Sequence, residues 1–148
     1  MSRFLNFWLL LAFLISFGNL YAQEDEDPCV QKMDKESEKL YKKARDYHKN
    51  GKKEDAYVLY EEILDAHPEY LEVNYYYALG LYNPLEANNY HSQRKDKSDV
   101  TKALAAFNRM YDVCPFYKVH CNLYAARLAY FNEIFPDAIK FASVIVEN

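Results

Sequence analysis

Glycine and proline are scarce in this chain of 148 residues, at 3 and 5. That scarcity excludes a sandwich or barrel of many short strands, which needs a turn every ten residues or so. Positive charge is in deficit: 18 Lys and Arg face 22 Asp and Glu, a net charge of −4. Without a basic surplus to neutralise phosphates, nucleic acid is not expected as a partner despite the many aromatic residues. The sequence also lacks HExxH, CxxC, a Gly-rich phosphate loop and a GxSxG elbow. Its four histidines, His48, His67, His91 and His120, are scattered. His120-Cys121 with Cys114 falls short of the four closely spaced ligands of a closed metal site. Glu61-Glu62 are neighbours that point apart on a helix, and the Glu24 to Asp27 run sits in a solvated leader. No enzyme, cofactor, metal or small-molecule substrate is expected.

What is present is apolar mass, 51% of the residues. That suffices for one compact domain, and with so few breakers it favours helix. The run from Phe4 to Phe17 follows Arg3, the sole charge before Glu24, and leads to the small residue Ala22. This is the order of a cleaved signal peptide over 1–22, and the run is shorter than the roughly 20 residues of a membrane crossing. No Cys stands at the cut to carry a lipid. Export to the periplasm, the cell exterior or the envelope is therefore expected, with an acidic flexible leader over 23–36. In an oxidising compartment the three cysteines, Cys29, Cys114 and Cys121, admit one disulfide. Cys114 and Cys121 flank an expected interhelix turn and can pair there; equally, both can be buried free thiols.

The rest of the chain repeats. Ala56-x3-Tyr60-x2-Ile63-x4-Pro68 recurs with identical spacing as Ala103-x3-Phe107-x2-Met110-x4-Pro115. Such spacing describes a helix with a small residue at a close crossing, large apolar residues further along the same face, and a proline that stops it. Upstream, Leu40, Ala44 and Tyr47 read as a partner helix ended by Asn50-Gly51. Ala78 with Leu81, and Ala125 with Leu128, repeat the Ala44 and Tyr47 spacing. A third closing helix is read over 137–147 from Ala138, Ala142 and Ile145, after a stop at Phe135-Pro136 and one residue out of register. Its apolar face, with Phe141 and Ile145, is expected to be exposed and open to self-association. The polar, Asn-rich stretch 83–98 reads as a surface loop inserted into the second unit, with Ser98 or Asp99 capping the next helix.

These features resemble the tetratricopeptide repeat family, whose units pair two antiparallel helices with small residues at the crossing and a closing proline. The resemblance covers 37–148, with units at about 37–70, 71–117 and 118–148, and departs at Asn74, where a bulky residue is usual. It implies an all-α, right-handed superhelical array whose first helices line a concave groove for a protein or peptide partner. The groove residues it implies are Tyr41, Arg45 and His48, then Tyr75, Leu79 and Tyr82, then Asn122, Ala126 and Tyr130. The family's carboxylate clamp is not expected, because its positions hold Tyr41, Arg45, Tyr76, Val119 and Leu123. Two readings of the tyrosines stand: recognition by large rigid rings, or simple cover for neighbouring helices. Two functions follow, an exported protein-binding scaffold or the N-terminal repeats of a larger envelope or secretion-associated protein.

Overall fold

The computed structural model describes residues 27, 29–87 and 97–147, with backbone alone at 84–87. The expected signal peptide, the start of the acidic leader (23–26 and 28) and the centre of the expected insertion lie outside the described residues. Those residues form six helices and no strand: α1 (Lys35–Lys49), α2 (Lys53–Ala66), α3 (Leu71–Ala87), α4 (Lys97–Val113), α5 (His120–Phe131) and α6 (Phe135–Val146). Consecutive helices pack most densely as three pairs, α1 with α2, α3 with α4 and α5 with α6, and the pairs meet through α2–α3 and α4–α5.

The small residues fall where the helices cross. Ala44, Ala56, Ala78, Ala103 and Ala125 are all fully buried. Around them Tyr60, Ile63, Leu81, Phe107, Met110 and Leu128 fill the interior as one continuous core. Gly80 marks a closer approach: a Cβ there would stand 2.8 Å from the His48 ring and 2.9 Å from that of Tyr57. Only glycine lets α3 lie so near the α1–α2 pair.

Local chemistry sets the helix ends. Asp34 Oδ1 accepts from the amides of Glu36 (2.9 Å) and Ser37 (3.0 Å), satisfying the free donors of the first turn of α1. At its other end Gly51 takes φ 78°, and the Lys52 amide donates back to the Tyr47 carbonyl at 2.9 Å. Glu133 does the same at the end of α5, with φ 61° and an Ile134 amide bond to Ala129 at 2.9 Å. Glu133 lies one position further from Ala125 than Gly51 does from Ala44, yet the buried Phe141 and Val144 stand as far from Ala125 as Tyr60 and Ile63 do from Ala44, so the core of the third unit is in register with the first and not shifted by a residue as expected.

Four further expectations are corrected. The part of the leader next to α1 is bound rather than free. Gln31 mimics a peptide, donating to the Glu69 carbonyl (2.9 Å) and accepting from the Leu71 amide (2.8 Å), while Tyr70 donates to Asp34 at 3.1 Å. Cys29 then bonds to Cys114, with Cα atoms 5.4 Å apart, so Cys114 does not pair with Cys121, a buried free thiol. The expected loop 83–98 is helical at both ends: 83–87 continues α3, and Ser98 and Asp99 lie inside the first turn of α4 rather than capping it. The last helix begins at Phe135, with Pro136 in its first turn where no amide bond is lost. It buries Phe141 and Val144, so Phe141 is core rather than exposed.

Candidate functional site

The α2–α3 turn ends at Leu71, and the next residues of α3 put Glu72, Tyr75 and Tyr76 on its flank toward α1 and the α4–α5 turn. There Tyr41 of α1 sits 6.2 Å from Tyr76 between ring centres, and the Arg45 guanidinium lies over the Tyr76 face at 3.1 Å. Tyr76 meets Tyr75 edge-on at 4.7 Å. From Tyr75 the rings continue to His120 (5.9 Å), Tyr124 (5.6 Å further) and Tyr82, stacked on Tyr124 at 4.8 Å. An aromatic ladder thus runs from α1 across α3 to α5, the first helices of the three pairs.

Glu72 is the ladder's charged node. Its carboxylate accepts from Tyr117, from Lys118 at 2.7 Å and, at 3.4 Å, from Tyr41. Burial raises the Glu72 pKa, but the Lys118 and Tyr117 hydrogen bonds outweigh it and hold the group below the usual carboxylate value. Lys118 adopts φ 48° in the turn before α5, and so reaches the Tyr75 ring at 3.7 Å while bound to Glu72. Burial raises the pKa of Tyr41, Tyr75 and Tyr117, with Glu72's charge adding to it in each. These hydroxyls stay protonated and offer hydrogen bonds rather than anions.

No protein-family model, curated protein or solved structure matches the chain. The site therefore rests on its own geometry.

That geometry gathers part of the expected groove and disperses the rest. Tyr41, Arg45 and Tyr75 come together, half-buried, along the ladder, and Leu79 and Ala126 lie partly covered against the core. His48 turns between the helices, where its ring packs on Tyr57 and Tyr60 and its Nδ1 is buried without a hydrogen-bond partner. Tyr82 and Asn122 leave the groove altogether. Tyr82 is fully buried, and Asn122, 5% exposed, donates to the Pro115 carbonyl at 2.8 Å. Tyr130 is 61% exposed, but its ring neighbours are Phe131 and Phe135, so it belongs to a separate apolar patch.

The reading by repeat position missed Glu72, Tyr117, Lys118 and Tyr124. Tyr117 and Lys118 stand in an interhelix turn outside the helical register, and a left-handed lysine leaves no trace in a pattern of apolar residues. Asn74, the departure from the family pattern, is fully buried and donates to the carbonyls of Pro68 (2.8 Å) and Tyr70 (2.9 Å). Asn122 repeats that service for Pro115 one helix pair later.

Proposed function

We propose that the chain is an exported, non-enzymatic scaffold of the tetratricopeptide type, a right-handed array that binds a protein or peptide partner along the face of its first helices. The observation that carries this reading is the half-exposed ladder of Tyr41, Tyr76, Tyr75 and Tyr124, edged by Arg45, Lys118 and the exposed Leu123. Rigid amphipathic rings backed by cations are the composition found at binding hot spots. Arg45 has no carboxylate partner among the described residues, which leaves its outer edge for a partner's acidic or carbonyl groups. The Cys29–Cys114 disulfide supports an oxidising compartment, in keeping with an export signal over 1–22. Among the described residues no helix is long and apolar enough to cross a membrane.

The test is partner capture from an envelope extract by the mature, disulfide-bonded chain and by its Tyr75→Ala/Leu123→Ala variant, with helicity checked by circular dichroism. A captured protein that the folded variant loses at least tenfold supports the ladder; capture that survives the double substitution removes it.

A second reading, the repeats as one segment of a larger envelope protein, is favoured by α6. Its outer side presents Phe135, Ile139, Ile145 and Val146 to solvent, with Ile139 70% exposed. Repeat arrays normally cover such a face with a polar cap or a further helix. Self-association through α6 would cover it too, and light scattering on the chain and on Ile139→Asp separates a dimer from a monomer.

A further inference from the structure

Away from the ladder, a surface cavity of about 250 Å³ opens between α2, α3 and α4. Its charges come in two kinds. Glu61 is already satisfied, its Oε1 accepting from Tyr77 at 2.5 Å and from Lys102 at 2.7 Å. Arg109 and Asp65 also line the cavity, near enough for the Asp65 charge to act on the guanidinium, yet they form no ion pair with each other.

Arg109 is held from behind. Its Nε donates to Asn74 Oδ1 at 2.8 Å, and Asn74, fully buried, is itself fixed by the Pro68 and Tyr70 carbonyls. A buried amide, in place of the bulky residue the repeat pattern calls for, is thus fixed by two carbonyls through its Nδ2 and holds one arginine through its Oδ1. Burying polar groups costs stability unless every one is paired. Here the pairing stops at Nε, and the four Nη–H donors have no partner among the described residues. That is a pre-organised fork of the sort that receives a carboxylate through two parallel bonds.

The charges of the walls cancel, Glu61 against Lys102 and Asp65 against Arg109, so a ligand with net charge gains little from the cavity as a whole. A ligand carrying both signs, separated, gains from each. We propose that this cavity binds a small zwitterion of the α-amino-acid class. Its carboxylate sits on the Arg109 guanidinium, its ammonium on Asp65, and its side chain against Leu64 and Ala105. The volume is below the roughly 300–1,000 Å³ of pockets for drug-sized ligands, which limits the occupant to about the size of a single amino acid. This departs from the sequence expectation of no small-molecule ligand, and it shares no residue with the ladder, so either proposal can fail alone.

The experiment is an amide NMR titration of the mature, disulfide-bonded chain with leucine, N-acetyl-leucine and leucinamide. Leucine is expected to give saturable shifts centred on residues 65, 77 and 109, and each blocked form to bind at least tenfold more weakly. Asp65→Asn, at an exposed position, is expected to stay folded and lose leucine affinity at least tenfold. Arg109→Lys, which keeps the charge and loses the fork, is expected to do the same. Absence of saturable shifts with leucine overturns the proposal. So does N-acetyl-leucine or leucinamide binding as tightly as leucine, or leucine binding unchanged in Asp65→Asn.

Discussion

Asn122 and His48 were both expected on an open groove, and each is better understood through what its side chain costs the fold. The Asn122 amide supplies the Pro115 carbonyl with a donor where the tight turn offers none from the backbone. Asn122→Ala leaves that carbonyl unsatisfied beside a buried site, and a loss of about 1–3 kcal/mol is expected in a urea denaturation series. For His48, burial lowers the pKa, and the charges of Arg45 and Lys53 lower it further. The unfolded chain then binds the proton more readily than the folded one. Stability from this group is complete above the ordinary histidine value of about 6.5 and declines as pH falls through the window below it. Melting temperatures between about pH 7 and 5 should fall in the native chain and fall less in His48→Gln; parallel slopes would remove His48 as the cause.

At the scale of elements, the strap from Cys29 to Asp34 is the feature that no repeat pattern contains. It crosses the α2–α3 turn through Gln31 and Tyr70 and is bonded at Cys114, next to the α4–α5 turn, 85 residues away in sequence. One covalent bond therefore ties the start of the array to the junction between its second and third pairs. Closing a loop of that length removes about 4–5 kcal/mol of unfolded-chain freedom in the chain-entropy account. The Cys29→Ser/Cys114→Ser variant is expected to be less stable by up to that amount, with faster amide exchange at Leu71, whose donor bond to Gln31 holds only while the strap is seated. Cys121 stays inert to thiol reagents in the folded state, because burial pushes its thiol up to about 12.

For the whole molecule, stacked pairs make stability a local quantity, since each pair rests only on its neighbours. α3 is covered by helices on several sides and contributes Tyr77, Ala78, Leu81 and Tyr82 to the core, whereas α6 buries only Phe141 and Val144. Polar contacts also fix α6: Asn108 to Asp137 at 3.2 Å, and Lys140 to Asn108 and Asp112 at 2.8 and 3.1 Å. Hydrogen exchange is expected to be fastest in α6 and slowest in α3. Equal protection of the two would mean that α6 is covered, as it would be in a self-associated state.

Much of the helical order was legible because it depends on neighbours in sequence. Ala44, Ala56, Ala78, Ala103 and Ala125 announce close crossings by their spacing, Asn50-Gly51 announces a left-handed stop, and Pro68 and Pro115 announce turns. The periodicity of the last helix misled by a residue, because Phe141 and Ala142 are both apolar and only the packing against Tyr111, at 5.8 Å, selects Phe141 for the core. The candidate site was half legible: Tyr41, Arg45 and Tyr75 follow from the register, while Glu72, Tyr117 and Lys118 meet them only through a turn whose backbone sign no side-chain pattern encodes. The disulfide partner of Cys114, and the buried Asn74 that holds Arg109, were likewise decided by tertiary structure, because each joins residues that helix packing, and not sequence spacing, brings together.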